Sequence, residues 1–346
     1  MTRMTISMPM LNTPLNDLPG FAALAEQAGF DGAWSYEFWR NPYIGLAGPA
    51  LQTERITLGT AIGTAFSRTP WDMANQAADV DELSGGRLIL GLGTGAPEFI
   101  STFHGLAYPR KPLSQFKEFV AGVRASWRYL ETGDPTPFAG EFYTMTPPPV
   151  NPWERRSLAR PQIPIYMGGM RPRMIQAAGE VADGLIGVLY TPRYITEVAL
   201  PNLETGAQRA GRNPDDVDLV GYTICSCSTD RAEAMRRARI QVGMYTGGTP
   251  IADPIVEWAG LTEDMMAVRM ALLTEGPSAL ERVTSDKLVE TFAIVGNPDQ
   301  CRAQAKAYQE VLPDRTLLLH TPYVPPLTRD ESADAFRGII SAFGSA

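Results

Sequence analysis

Glycines and arginines suited to binding phosphate occur together in the segment GGMRPR, residues 168–173. The segment follows a short apolar run and precedes a helical pattern, so its amides would lie at the positive end of a helix dipole. Arg171 and Arg173 would add positive charge and guanidinium groups that bind a phosphate through two hydrogen bonds. A glycine-rich connection with solvated arginines explains the same residues, above all Arg173, which falls inside the first helical turn. Because Gly168, Gly169 and both arginines share one strand end, we favour a phosphate site.

A second glycine-rich segment, SGGRLILGLGTG at residues 84–95, ends in Gly93, Thr94 and Gly95. It predicts a short apolar strand whose carboxyl end is followed by residues with small side chains or none. Glycine lets a bulky planar ligand approach the backbone, and it also adopts backbone angles closed to other residues. A tight turn with positive φ is the simpler interpretation of this stretch alone. Parallel α/β folds bind their ligands at such strand ends, however, so we predict that these three residues contact a cofactor.

Glu37 is the best candidate for an acid or base. Tyr36, Phe38 and Trp39 flank it and would favour its protonated form by excluding water. A surface glutamate in a loop explains Glu37 equally well. We assign Glu37 and Trp39 as candidate catalytic residues.

Other reactive groups are scarce. His104 and His320 are far apart in the chain and lack neighbours at metal-ligand spacing, so no metal site is predicted. No G-x-S-x-G motif or Cys–His pair indicates a hydrolase. His320 ends a predicted strand and is a candidate substrate contact. A site without a nucleophile or metal needs a cofactor, and a flavin-like ring with a phosphate tail fits these residues.

The length and composition are those of an ordinary globular protein. It has 346 residues, of which 44% are hydrophobic and 20% charged, and a net charge of −8 that argues against nucleic acid as a partner. The three cysteines have no metal spacing, and Cys225 and Cys227 are expected to be small core residues in a reduced compartment. We find no secretory signal and no membrane span, and we predict a cytoplasmic protein without a membrane partner.

The elements that would position these residues alternate between strand-like and helix-like runs. Eight such units predict a (β/α)8 TIM barrel with insertions, with an open doubly wound sheet as the second choice. We predict one domain over residues 1–346, with insertions at about 131–162 and 247–297, and take the pattern at 231–244 as the helix of the seventh unit. The predicted strands cover residues 4–8, 32–35, 56–62, 88–91, 165–167, 184–189, 217–225 and 316–319.

Five motifs, in order along nearly the whole chain, resemble those of the bacterial luciferase-like superfamily. They are LAEQAGFDGAW (24–34), ERITLGTAI (54–62), SGGRLILGLGTG (84–95), AAGEVADGLIG (177–187) and VGNPDQC (295–301). The chain is more similar to the branch that uses the deazaflavin coenzyme F420 than to the flavin monooxygenases. The resemblance implies a TIM barrel with a ring cofactor at its mouth, in a homodimer.

The resemblance also implies roles for particular residues. A non-prolyl cis peptide behind the ring would fall at Ala61–Ile62, Thr64 would contact the ring, and Gly169, Met170 and Arg171 would offer amides to phosphate. Many F420-dependent relatives have Asp-His where this chain has Tyr36-Glu37, so the proton-donor role would pass to Glu37. Positions that bind a sugar phosphate in some relatives hold Ala96, Phe99 and Thr191 here, and a sugar phosphate is not expected.

We predict an oxidoreductase that moves hydride between F420 and an apolar organic small molecule. The alternatives are an FMN-dependent monooxygenase and a flavin- or deazaflavin-binding protein without turnover. Arg110, Lys111, Lys117, Arg155, Arg156 and Arg160 would form a positive rim for the coenzyme's anionic tail, or a solvated charged face. The remaining candidates are Ser35 and Tyr36 for the cofactor, and Phe38, Phe66, Phe99 and His320 for the substrate.

Overall fold

Eight parallel strands form a closed barrel in the computed structural model, which describes residues 1–11, 13–148 and 158–345. Each strand pairs with its neighbours in chain order, and the eighth closes the ring by pairing with both the seventh and the first. The predicted TIM barrel is therefore confirmed. The strands are β1 Arg3–Ser7, β2 Gly32–Ser35, β3 Thr57–Thr60, β4 Leu88–Gly93, β5 Ile165–Gly168, β6 Gly184–Val188, β7 Asp218–Cys227 and β8 Thr316–His320.

Eight helices pack around the strands. Their starts are marked by side-chain caps, such as Asn41, Thr69 and the capping boxes at Asn297 and Thr328. A helical turn at Pro192–Tyr194 and a π-helical stretch at Ile195–Ala199 lead into the sixth helix. The helices are α1 Leu18–Gln27, α2 Pro42–Gln52, α3 Pro70–Leu83, α4 Pro112–Thr132, α5 Pro172–Val181, α6 Leu200–Arg209, α7 Pro298–Val311 and α8 Arg329–Phe343.

The helix that follows β7 is not the seventh barrel helix, and our pairing of these two elements was wrong. This helix, Arg231–Gly247, lies over the carboxyl ends of β7 and β8 and is called the mouth helix below. The barrel helix is α7, where Tyr308 reaches Thr223 of β7 at 3.1 Å and Arg302 donates to the Ala342 carbonyl of α8 at 2.7 Å. A four-residue strand, Ala293–Gly296, precedes α7 and extends the sheet beside β7. The sequence analysis did not predict it, because the helical pattern directly after β7 was taken for the barrel helix.

Two excursions and one helix interrupt the barrel pattern. The first excursion contains a small hairpin, Phe138–Ala139 with Thr144–Met145. The helix Pro97–His104 after β4 was not predicted. Among the described residues, no helix is long and apolar enough to cross a membrane. Beyond the mouth helix, the second excursion consists of the helices Asp253–Trp258, Thr262–Glu275, Leu280–Val283 and Asp286–Phe292.

The barrel interior has its own apolar cluster, separate from the larger one between strands and helices. Side chains from alternate strand positions fill it, as expected where successive residues face opposite sides of a strand. Ile62, Val188 and Tyr245 also pack against this cluster. Ile62 follows β3, Val188 ends β6 and Tyr245 lies on the mouth helix, and we call the space at these strand ends the chamber. The three cysteines are buried and unpaired. The interior cluster consists of Trp34, Ala61, Tyr166, Ile186, Val220, Tyr222 and Leu318.

Candidate functional site

A cis peptide joins Ala61 to Ile62 immediately after β3, at the predicted position. The loop after β2 holds this segment on both sides, because the Ala61 amide donates to the Ser35 carbonyl at 2.7 Å and the Glu37 amide donates to the Ile62 carbonyl at 3.0 Å. A Cβ on Gly93 would lie 2.6 Å from Ile62 Cδ1. Gly93 is therefore needed because a larger side chain would clash with Ile62. It would affect a bound ring only indirectly, through the position of Ile62.

Gly95 illustrates the simpler interpretation of the glycine-rich strand end. Its φ of 73° lies in the left-handed region, where glycine is favoured. A Cβ there would also approach Thr64 Cγ2 to 2.8 Å. Thr94 is half-buried, and its hydroxyl points back to the Gly95 carbonyl at 3.3 Å. The turn into the helix Pro97–His104 explains these two residues without a ligand.

Glu37 faces an arginine rather than the aromatic side chains beside it. Arg68 donates to both carboxylate oxygens, at 2.8 and 2.7 Å, and the Thr64 amide donates at 2.6 Å. Both charged side chains are largely buried, with exposed fractions of 11% for Arg68 and 8% for Glu37. Burial lowers the pKa of Arg68, but the hydrogen bond and charge of Glu37 outweigh it and raise that pKa overall. In this arrangement Glu37 ties the loop after β2 to the loop after β3.

The predicted phosphate site lies at the start of α5. Within the described residues, the amides of Met170, Arg171 and Arg173 donate no hydrogen bond, and neither arginine forms an ion pair. Both arginine side chains are exposed. The Gly169 amide is different, because it donates to the Ile186 carbonyl at 3.1 Å and is not available to a ligand. Three free amides and two free cations at a helix N-terminus are chemically suited to a phosphate or phosphodiester.

Four aromatic side chains form a wall beside the mouth. Phe38 and Trp39 come from the loop after β2, and Phe99 and Phe103 come from the helix Pro97–His104. Phe38 stacks on Phe99 with centroids 6.2 Å apart, and Trp39 meets Phe103 edge-on at 4.8 Å. Phe38, Trp39 and Phe103 are 44%, 57% and 57% exposed. Sequence reasoning found three of these residues and missed Phe103, whose helix was not recognised. An exposed aromatic surface of this kind suits an apolar ligand.

Two predicted residues do not reach the mouth. Phe66 is buried in the core and packs edge-on against Tyr108 and Phe116, with centroids 5.7 and 6.1 Å apart. Ser35 is completely buried, and its hydroxyl donates to the Gly59 carbonyl at 3.4 Å. We correct both assignments: Phe66 is a packing residue, and Ser35 acts through its backbone on the cis segment.

A cluster of hydroxyl groups surrounds His320 on the opposite side of the chamber. His320 is completely buried, so the predicted direct contact with substrate is wrong in this structure. Burial lowers the pKa of His320 to about 3, and the ring is therefore neutral. Its Nδ1 lies 2.7 Å from Ser7 Oγ, and its Nε2 lies 3.1 Å from the hydroxyl of Tyr245. Tyr36 stacks on Tyr323 on the same side of the chamber, with ring centroids 4.6 Å apart.

Sequence reasoning assigned no role to Arg68, Tyr222, Gln241 or Tyr245. Tyr222 could have been found from strand alternation, because it follows Val220 on the inward face of β7. Gln241 and Tyr245 could not, since the mouth helix was taken for a barrel helix.

Three of the six residues of the predicted positive rim are engaged in ion pairs, and Arg110 is exposed. Lys111, Lys117 and Arg160 each pair with a carboxylate, and Arg160 does so with the buried Asp81. Arg155 and Arg156 lie outside the described residues. No group of His, Cys, Asp or Glu in the described part of the chain is arranged to hold a metal ion.

Known proteins resemble the chain over most of its length. The luciferase-like monooxygenase family matches residues 3–315. A 5,10-methylenetetrahydromethanopterin reductase of Methanolobus tindarius is 31% identical over 299 residues, which cover 84% of this chain and 86% of the relative. The structure of a coenzyme F420-dependent tetrahydromethanopterin reductase from Methanopyrus kandleri superimposes with a TM-score of 0.83, at 26% identity and 99% coverage of both chains.

A more distant neighbour binds FMN. It is the oxygenating constituent of 3,6-diketocamphane monooxygenase of Pseudomonas putida, a Type II Baeyer–Villiger monooxygenase in complex with FMN. It has a TM-score of 0.70 at 17% identity, covers 99% of this chain and 97% of its own, and shares the fold alone. The family match over residues 3–315 leads to one conclusion. The chain belongs to the luciferase-like monooxygenase family.

Proposed function

We propose that this protein is an F420-dependent oxidoreductase that transfers hydride between the coenzyme and an apolar organic substrate. The observation that carries the proposal is the site at the start of α5, where three amides and two arginines at the barrel mouth have no partner among the residues that the structure describes. F420 and FMN both carry phosphate, so this site supports either. The F420-dependent relatives favour the deazaflavin.

Different residues would bind the coenzyme and the substrate. When bound, the coenzyme supplies or accepts the hydride. Met170, Arg171 and Arg173 bind its phosphate, and Ile62 backs the ring. The aromatic wall holds the apolar part of the substrate and excludes water from the mouth.

A binding titration tests the phosphate site. Fluorescence quenching of F420, and separately of FMN, is measured for the wild-type protein and for the Arg171→Ala/Arg173→Ala double variant. We expect the wild type to bind F420 more tightly than FMN, and the double variant to lose about 10²- to 10⁴-fold in affinity, since charge-assisted hydrogen bonds contribute roughly 1.5–3 kcal/mol each. The control is Arg337→Ala, which removes an exposed arginine of α8 and should leave affinity unchanged. Tighter binding of FMN would support the monooxygenase alternative instead.

The role of Glu37 as a proton donor stays a prediction, and a substitution separates it from a structural role. Glu37→Gln keeps the size of the side chain but places an amide group against Arg68 or the Thr64 amide. If Glu37 donates a proton, turnover should fall far more than coenzyme affinity. If it only holds the two loops, affinity and thermal stability should fall with turnover. An unchanged rate would exclude both roles.

A homodimer, expected from the family resemblance, and a cytoplasmic location, expected from the sequence, also remain predictions. Light scattering coupled to gel filtration tests the first, because a chain of 37.7 kDa would elute at twice that mass.

A further inference from the structure

Two buried tyrosine side chains hold the backbone of the loop that leads into α5. The Tyr190 hydroxyl donates to the Gly169 carbonyl at 2.8 Å, and the Tyr194 hydroxyl donates to the carbonyl of Met170. Tyr190 is completely buried and Tyr194 is 3% exposed. Burial raises the pKa of both phenols, so each keeps its proton and acts as the donor. Two successive carbonyls of this loop are therefore fixed by side chains from the segment that follows β6.

The direction of two amides in this loop follows from these hydrogen bonds. The peptide bonds of the loop are trans, and in a trans peptide the N–H group points opposite to the carbonyl. The Gly169 carbonyl shares its peptide with the Met170 amide, and the Met170 carbonyl shares its peptide with the Arg171 amide. Each tyrosine therefore turns one amide away from itself. Neither amide has a partner among the residues that the structure describes.

The ring of Tyr190 lies on the outer face of β6. Leu185 and Gly187 point to this face, because Ile186 between them belongs to the interior cluster. A Cβ on Gly187 would lie 2.0 Å from Tyr190 Cε2, so glycine is needed there to leave room for the ring. The Gly169 carbonyl consequently points to the layer between strands and helices. The amide of the same peptide points away from that layer, toward the side of the loop on which a coenzyme at the barrel mouth would lie.

Local features keep both tyrosines beside the loop. Leu189 has a left-handed φ of 58°, which is rare for a large side chain, at the turn that leads from β6 to Tyr190. Thr191 caps the next helical turn, because its hydroxyl oxygen accepts from the Tyr194 amide at 3.1 Å. Trp258, from the second excursion, packs edge-on against the Tyr194 ring with centroids 5.0 Å apart. The second excursion therefore supports the loop before α5 through Tyr194.

We propose that Tyr190 and Tyr194 are positioning residues of the coenzyme site, an inference that rests on the proposed function. They orient the Met170 and Arg171 amides for the coenzyme's phosphate before it binds. Without one of the hydroxyls, a carbonyl loses its partner and its peptide can rotate, which turns the oxygen toward the phosphate. A carbonyl oxygen repels a phosphate anion, so binding would first have to rotate the peptide back. The two tyrosines therefore determine the affinity for the phosphate and leave the contacts of the ring unchanged.

The test measures how much the phosphate adds to coenzyme affinity. F420 and its phosphate-free deazaflavin alcohol, which keeps the ring and the ribityl chain, are titrated separately and followed by fluorescence quenching. The wild type is compared with Tyr190→Phe, Tyr194→Phe and the double variant. We expect each single variant to bind F420 about 3- to 10-fold more weakly, the equivalent of one hydrogen bond, and the double variant about 10- to 100-fold more weakly. The affinity of every variant for the phosphate-free form should equal that of the wild type.

The matched control is Tyr308→Phe. It also removes a buried tyrosine hydroxyl, but that hydroxyl lies 3.1 Å from the Thr223 hydroxyl of β7 and not beside the loop before α5. Both affinities should be unchanged in this variant. Wild-type affinity for F420 in Tyr190→Phe and Tyr194→Phe would overturn the proposal. Equal losses of affinity for F420 and for the phosphate-free form would overturn it as well, because the tyrosines would then only support the fold.

Failure of this inference is distinguishable from failure of the proposed function. If the wild type binds FMN but not F420, the proposed function fails, and the same comparison with FMN and riboflavin decides the role of the tyrosines. If the wild type binds neither coenzyme, both fail. Should Tyr190→Phe not fold, Tyr194→Phe decides alone, because each hydroxyl orients its own amide.

Discussion

Acidification should destabilise the folded protein through His320. The pKa of this ring is about 3 in the folded state because burial disfavours its charged form, compared with an ordinary value of 6.5. Between these two values the unfolded chain binds a proton that the folded chain does not. Stability from this group is therefore complete above about pH 6.5 and is lost as the pH falls toward about 3.

The magnitude follows from linkage. Over the whole interval the loss approaches about 5 kcal/mol, at 1.36 kcal/mol per pKa unit. At about pH 5 the folded protein should already have lost about 2 kcal/mol of its free energy of unfolding relative to pH 7.5 through this one ring. Urea unfolding followed by circular dichroism at these two pH values measures the difference.

His320→Gln isolates the contribution of the ring from that of the many carboxylates. It cannot take up a proton, so its free energy of unfolding should fall by about 2 kcal/mol less than that of the wild type over the same pH change. His104→Gln is the matched control, because His104 is exposed and is the other histidine of the chain. Parallel pH dependences for the wild type and His320→Gln would refute the assignment of a buried, neutral ring.

Three further outcomes are expected. Gly91→Ala places a Cβ 1.8 Å from a backbone carbonyl oxygen of β3 and should lower the free energy of unfolding by at least about 1–3 kcal/mol. Its control, Gly20→Ala, places a Cβ in open space on α1 and should raise the free energy of unfolding by up to about 1 kcal/mol. Urea titration measures both changes. Arg68→Ala leaves the carboxylate of Glu37 without its partner and should cost about 3–5 kcal/mol in the same assay, against at most about 1 kcal/mol for the exposed pair broken in Arg337→Ala. Thiol titration with a chromogenic disulfide should find less than one reactive group per native chain and three after denaturation, because all three cysteines are buried: Cys225, Cys227 and Cys301.

The barrel could be predicted from the sequence because its strands are short apolar runs separated by helices of regular period. Gly32–Ser35 was predicted to the residue, and the other barrel strands within a few residues. The seventh helix could not be predicted, because the mouth helix carries a helical pattern of its own directly after β7. The pairing of Ala293–Gly296 with β7 and the contact of Tyr308 with Thr223 show that the chain returns to the barrel there.

Parts of the candidate site could likewise be predicted from the sequence, and other parts could not. The cis peptide was expected from the family resemblance and is confirmed, and the amides at the start of α5 lie in a glycine- and arginine-containing loop that the sequence shows directly. The ion pair between Glu37 and Arg68 joins residues 31 positions apart, and the bond between Tyr245 and His320 spans 75. Neither has a local pattern. Glu37 was expected among aromatic side chains for that reason, although its neighbours in space are an arginine and a backbone amide.

The two long-range pairs place opposite kinds of chemistry on the two sides of the chamber. Arg68 neutralises the carboxylate near the cis segment, so that side offers an apolar surface to a flat ring. The mouth helix brings Gln241 and Tyr245 over β8, and Gln241 fixes the direction of the hydrogen bonds around His320. The inserted mouth helix, rather than the barrel itself, therefore supplies the polar side chains that contact His320 on that side of the mouth.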